Sequence, residues 1–294
     1  MTPGILYALG AYLSWGLFPL YFRQIATVPA LQIVAHRTLW SLLFVVFILL
    51  VTRHIKWLRG VDAATWRRFT LSALLIAINW LTYVWAVGHG HVIDASLGYF
   101  INPLVNVALG FAVLHERPRL AQWFAVSLAA AGVLWLTVTA GQLPWVALVL
   151  ALSFGFYGLM RKTAALGAIE GLTLETLILA PLAAAGLVWW SQDGSMGDQT
   201  AVDWAWLIGT GPVTAGSLLL FAAGARRLPL ATLGLVQYVS PSLQFLLGVF
   251  LFHEPMTASR LVAFGFIWGA LAVYSAEAIW QNQRARRALQ VKPL

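Results

Sequence analysis

The chain contains no cysteine and very little charge. Without a thiol it forms no disulfide, no thiolate-held zinc or iron–sulfur centre and no cysteine nucleophile. Asp, Glu, Lys and Arg make up 10% of its 294 residues, while 61% are hydrophobic. A soluble domain carries ~25% charged residues, so this balance places the chain in a bilayer. G-x-x-x-x-G-K-[ST], G-x-S-x-G and H-E-x-x-H are also absent, which leaves no P-loop and no hydrolase signature. No catalytic residue, cofactor or metal site is expected. His89, His91 and Asp94 have a metal-like spacing, but no third firm ligand accompanies them.

What is present is a series of apolar segments of spanning length. They run Pro3–Phe22, Ala30–Thr52, Phe69–Val87, Val92–Leu114, Leu120–Val138, Leu143–Met160, Leu172–Trp190, Trp204–Gly224, Leu230–Phe252 and Ala258–Ile279. The expected fold is therefore an all-α polytopic membrane protein of ten transmembrane helices. Met1–Phe22 lacks the basic start of a signal peptide and reads as a retained first helix. With the N-terminus in the cytoplasm, the inner loops and tail hold fifteen of the eighteen Lys and Arg residues. Arg23 and Arg260 fall outside, and Arg37 lies within a helix. This asymmetry predicts that both termini are cytoplasmic. The net charge of +8 then belongs to a face opposed to anionic lipid, not to nucleic acid.

The fourth segment recurs. Pro103, Asn106, Gly110, His115 and Glu116 correspond to Pro241, Gln244, Gly248, His253 and Glu254, each pair 138 positions apart. Ser14-Trp15-Gly16-Leu17-Phe18 likewise matches Ser153-Phe154-Gly155-Phe156-Tyr157. Five helices per copy is an odd number, so residues 1–139 and 140–294 are expected to be inverted repeats. That architecture points to alternating access around a site near the bilayer midplane.

Arg37 is the sharpest candidate for that site. A charge eight residues into a helix is expensive, and it reads either as a cation for a substrate carboxylate or as a fixed clamp between helices. Asn79 and Tyr83 on the third segment, and Tyr99, Asn102 and Asn106 on the fourth, follow helical spacings of three and four. With Trp15, Phe18, Tyr157, Gln237, Tyr238 and Gln244 they could line an aromatic cavity with a few amide groups, suited to a flat or amphipathic organic solute. Each singly could equally serve helix–helix hydrogen bonding. His36, Asp94 and Glu175 are the candidates for proton coupling, the two carboxylates lying near helix ends with few obvious partners. Glu116 and Glu254 read as turn and cap residues near the start of the following helix. Gly265 and Gly269 form GxxxG, a close-packing face within the chain or between chains, so the fifth or tenth helix is the candidate homodimer surface.

These residues resemble the RarD-type members of the drug/metabolite transporter superfamily, which carry EamA repeats. The stretches that carry the resemblance are Trp15–Phe22, Ala35–Ser41, Asn79-Trp80, Trp85–Val87 and Ala95–Leu104. In the second half they are Ser153–Leu159, Arg161-Lys162, Leu233-Gly234, Gln237-Tyr238 and Phe266–Trp268. Two positions depart: the family pattern has Glu where this chain has Gln32 and again where it has Asp94. The first removes a proton-carrying carboxylate. The resemblance implies a bacterial inner-membrane carrier for small organic molecules: RarD-type proteins are named for chloramphenicol sensitivity, and related branches of the superfamily export amino acids, including aromatic ones. It also implies a basket of helices one to four and six to nine, with five and ten at the periphery.

Overall fold

The computed structural model describes residues 3–290 apart from 55, 116, 164–165, 198, 226 and 229–235. Expectations placed on Glu116, Arg226, Leu233, Gly234 and Lys292 lie outside the described residues. The described residues are helical with no strand. In hydrocarbon, a helix satisfies its own backbone groups where no water can.

The helices are α1 Pro3–Arg23, α2 Ala30–Val51, α3 Ala63–Gly88, α4 Val92–Leu114, α5 Leu120–Ala140, α6 Trp145–Thr163, α7 Ala168–Gln192, α8 Ala201–Ala225, α9 Val239–Leu246 and α10 Ala258–Gln290. A short 3-10 turn, Lys56–Gly60, joins α2 to α3. Among the described residues, eight are long and apolar enough to cross a membrane, whereas the apolar stretches Trp145–Arg161 of α6 and Val239–Leu251, which runs from α9 into a π turn, are shorter. This is an all-α polytopic membrane protein.

Several helices outrun their apolar segments. α3 begins at Ala63 because the Asp62 side chain caps it, accepting from the Thr65 N–H at 2.9 Å. α10 continues to Gln290, well past the last apolar run at Ile279. Hydropathy marks where lipid ends, whereas hydrogen bonding marks where a helix ends.

The matched prolines behave differently. α4 runs through Pro103 without interruption. The ninth helix is broken at Tyr238 and restarts at Val239. Pro241 has no N–H for the carbonyl of Gln237, and its ring crowds that carbonyl. α9 then ends in a π turn, Leu247–Leu251, with Phe252 N donating to Leu247 O at 2.9 Å. His115 and His253, which follow the two copies, both adopt the left-handed conformation at φ 53°.

α1 packs on α8 and α9, α6 on α3 and α4, α2 on α7 and α8, α3 on α7, α4 on α9 and α5 on α10. Advancing each label by five carries the α1–α8 contact onto α6–α3, α1–α9 onto α6–α4, and α2–α8 onto α7–α3. α2–α7, α4–α9 and α5–α10 map onto themselves.

The backbones come close where glycine allows it. A Cβ on Gly98 would lie 2.7 Å from Ala147 O, and one on Gly211 would lie 2.5 Å from Trp40 O. α5 and α10 meet through Gly132, whose Cβ would touch Phe266 and Ala263. The GxxxG pair does little of this packing: Gly265 has open space around it, and Gly269 only reaches Leu128.

Candidate functional site

Arg37 is the eighth residue of α2, and it is 4% exposed. Its Nε donates to Thr214 Oγ1 of α8 at 2.9 Å. The guanidinium carbon stands 4.2 Å from the Trp80 ring centroid, 5.5 Å from Phe22 and 5.7 Å from Phe18. Tyr83 and Tyr99 adjoin this group, Tyr83 through Phe22. Their rings are 5.9 Å apart, and Phe22 stands edge-on to Tyr83 at 6.1 Å. Among the described residues no Asp or Glu reaches ion-pair distance of Arg37, and neither terminal nitrogen has a hydrogen-bond partner. Each cation–π contact is worth ~0.5–2 kcal/mol, so the rings offset part of a desolvation cost of several kcal/mol.

Asn79 and Tyr99 share this neighbourhood. Tyr99 Oη donates to Asn79 Oδ1 at 3.2 Å, and Asn79 Nδ2 donates to Ser153 Oγ at 3.0 Å and Leu150 O at 3.2 Å. The Tyr83 hydroxyl is buried without a partner. Phe18, Arg37, Asn79, Tyr83 and Tyr99 are therefore brought together. The others fall on adjoining positions. Trp15 Nε1 donates to Ser217 Oγ at 2.8 Å, and its carbonyl accepts from Gln244 Nε2 at 3.1 Å. Asn102 Nδ2 donates to Ala151 O at 3.1 Å, and Asn106 donates to Asn102 at 3.3 Å. Gln237 is half-buried beside the helix break.

Tyr238 lies elsewhere, in a cavity of about 450 Å³ between α4, α9 and α10 that Phe100, Phe245 and Trp268 also line. His36 points away from Arg37 and stands edge-on to Trp204 at 5.2 Å, its Nε2 buried without a partner.

Glu175 is not short of partners, contrary to the sequence reading. It is 1% exposed and accepts from Ser72 Oγ at 2.5 Å and from Tyr157 Oη at 3.3 Å. Arg161 Nη1 is 3.8 Å away, inside ion-pair range but too long for a hydrogen bond. Arg161 Nη2 donates to Gly167 O at 3.0 Å and the guanidinium rests 5.4 Å from the Phe69 ring. Asp94 is also committed: its Oδ2 receives Arg260 Nη2 at 3.1 Å and His91 Nδ1 at 2.9 Å. His89 and His91 both stack on Trp85, at 4.5 and 5.3 Å.

Glu254 caps a helix, but not the one that follows it. Its carboxylate accepts from Val92 N at 2.6 Å and Ile93 N at 2.9 Å, at the first turn of α4. The end of the ninth helix is thereby fixed to the start of the fourth. Thr214, Phe22, Ser72 and Arg161 also belong to these clusters. Phe22 and Arg161 fall in stretches that carry the family resemblance, but nothing local gives any of the four this role, because each gains it from a helix distant in the chain.

Residues 2–138 match the EamA-like transporter family. An uncharacterized transporter of Pseudomonas aeruginosa is 49% identical and covers 96% of this chain and 95% of its own length. Protein RarD of Escherichia coli is 45% identical over 97% of both chains. The chloramphenicol-sensitive protein RarD of Pseudomonas aeruginosa is 32% identical over 97% of this chain and 96% of its own. A crystal structure of a protein 19% identical covers 94% of this chain and 98% of that one, with a TM-score of 0.64, and so shares the fold. The chain therefore belongs to the EamA-like transporter family, as a RarD-type member of the drug/metabolite transporter superfamily.

Proposed function

We propose that the protein is a secondary carrier that exports small amphipathic organic solutes, such as aromatic amino acids or amphenicol-like drugs, across the bacterial inner membrane by alternating access. Ten spans form two inverted five-helix repeats, residues 1–139 and 140–294, with both termini in the cytoplasm. The observation that carries this reading is that the most extensive helix contacts, among them α1–α8 with α6–α3 and α2–α8 with α7–α3, map onto one another when every label advances by five. Arg37, set against Phe18 and Trp80 of the first repeat, meets Thr214 of the second, as a site between two rocking halves requires. The relative named for chloramphenicol sensitivity supports a drug-like solute. In proteoliposomes containing only this protein, movement of a solute from a panel of amino acids and amphenicols supports the carrier. Failure of the whole panel, with the protein correctly folded, rejects it.

A second reading is an uncoupled facilitator or importer of similar solutes. What favours it is that Asp94 and Glu175 already have charged partners. Collapsing the proton gradient in those vesicles separates the two: unchanged transport means no coupling.

A further inference from the structure

The central cluster is rich in donors and poor in acceptors. Among the described residues, neither terminal nitrogen of Arg37 has a hydrogen-bond partner, and the buried Tyr83 hydroxyl has none either. The acceptors beside them are taken: Thr214 Oγ1 receives Arg37, and Asn79 Oδ1 receives Tyr99. A guanidinium carries only donors, so whatever completes this site must supply acceptors. It must also supply charge, because no carboxylate of the described residues faces Arg37. Glu175 is held by Arg161, Ser72 and Tyr157, and Asp94 by Arg260 and His91.

We infer that the solute is an organic anion, an aromatic or similarly apolar body bearing a carboxylate or an equivalent acid group, and not a zwitterion. The inference rests on the carrier architecture proposed above and replaces its amino-acid and amphenicol examples with an anionic class at that same site. The anion would lie against the terminal nitrogens of Arg37 in the fork geometry that guanidinium and carboxylate share. Tyr83 would donate to the same oxygens, and the rings of Phe18, Phe22 and Trp80 would hold the apolar body. An amino acid brings an ammonium as well. The buried acceptors left open among the described residues include the amide oxygens of Gln32, Gln199 and Gln244, which carry no negative charge. An ammonium there would be desolvated without a counter-charge.

A matched series with one aromatic body tests this: phenylpyruvate as anion, phenylalanine as zwitterion and phenethylamine as cation. Each is titrated against purified wild-type protein in nanodiscs, and each is followed into proteoliposomes. The expected result is that phenylpyruvate binds about ten-fold or more tightly than phenylalanine, which makes the same carboxylate contact but buries its ammonium without a counter-charge. Arg37→Gln removes the preference and Arg37→Lys keeps part of it. Tyr83→Phe, which retains the ring and so serves where the Arg37 variants fail to fold, weakens phenylpyruvate several-fold and leaves phenethylamine unchanged. Equal or tighter binding of phenylalanine or phenethylamine overturns the inference and leaves the carrier intact. A preference for the anion that survives both Arg37→Gln and Tyr83→Phe also overturns it. Binding of none of the three overturns it as well, and the carrier itself fails only if the wider panel is not moved either.

Discussion

Replacing Glu254 by alanine should loosen the start of α4 more than any change within α4 itself. The Glu254 carboxylate takes both the Val92 and Ile93 N–H groups, at 2.6 and 2.9 Å. His91, at the N-cap position, makes no side-chain cap bond of its own. Val92 is 0% exposed, Ile93 1% and Glu254 7%, so water has little access to replace the lost acceptor. Hydrogen bonds to charged groups contribute ~1.5–3 kcal/mol each, and measured cap deletions cost ~0.5–2 kcal/mol. Two bonds at one sealed helix start therefore place Glu254→Ala at a loss of about 2–4 kcal/mol. Glu254→Gln keeps one carbonyl acceptor but no charge, and should lose roughly half as much. Unfolding in mixed detergent micelles, followed through the fifteen Trp residues, reads the difference. Amide exchange at Val92 and Ile93 localises it. Wild-type exchange at both amides, with stability changed by less than about 0.5 kcal/mol, would refute the cap.

Other consequences can be checked on the same material. Gly98→Ala places a Cβ 2.7 Å from the Ala147 carbonyl, so it should cost about 1–3 kcal/mol by the same unfolding assay. Gly88→Ala, with nothing within 4 Å, should be neutral or slightly stabilising. A double-mutant cycle on Asp94→Asn and Arg260→Met should return a coupling of about 1 kcal/mol, and a value of zero would make the 3.1 Å pair an incidental contact. The Thr65 hydrogen bonds hold the Asp62 carboxyl below its ordinary range near ~4. Its folded form is the more acidic one, so the cap of α3 is fully present above the unfolded value and is lost as pH falls through the folded one. Exchange at Thr65 should accelerate there in the wild type, and Asp62→Asn should remove that pH dependence.

Much of this architecture is legible in the amino-acid sequence. α4 occupies the span its hydropathy gives, Val92–Leu114, and the copies of its sequence 138 positions apart end in histidines with the same left-handed φ of 53°. Arg37, Asn79, Tyr83 and Tyr99 could be grouped because intramembrane polar residues on helix faces seek one another or a cavity. The partners were another matter. Asp94 and Glu175 looked unattended because Arg260 and Ser72 lie far away in sequence, at separations of 166 and 103 residues. Tyr238 follows the motif of the central residues, yet the break before Pro241 sets it beside Trp268 in the cavity near α10. Gly265 shows the limit of motif reading in the other direction: GxxxG is present, but α5 approaches α10 through Gly132, a lone glycine with no signature.

The cap on α4 also bears on how the chain is made. Val92 and Glu254 are 162 residues apart, so the fourth helix leaves the ribosome long before the carboxylate that completes its first turn exists. Throughout that interval two backbone donors must rely on water or lipid headgroups at the bilayer surface. A half-length product stopped at residue 139 would keep them exposed indefinitely, and should be a substrate for quality-control proteolysis even with every helix inserted. The N-terminal half of the chain is thus finished by the C-terminal half, in the order of synthesis as well as in space.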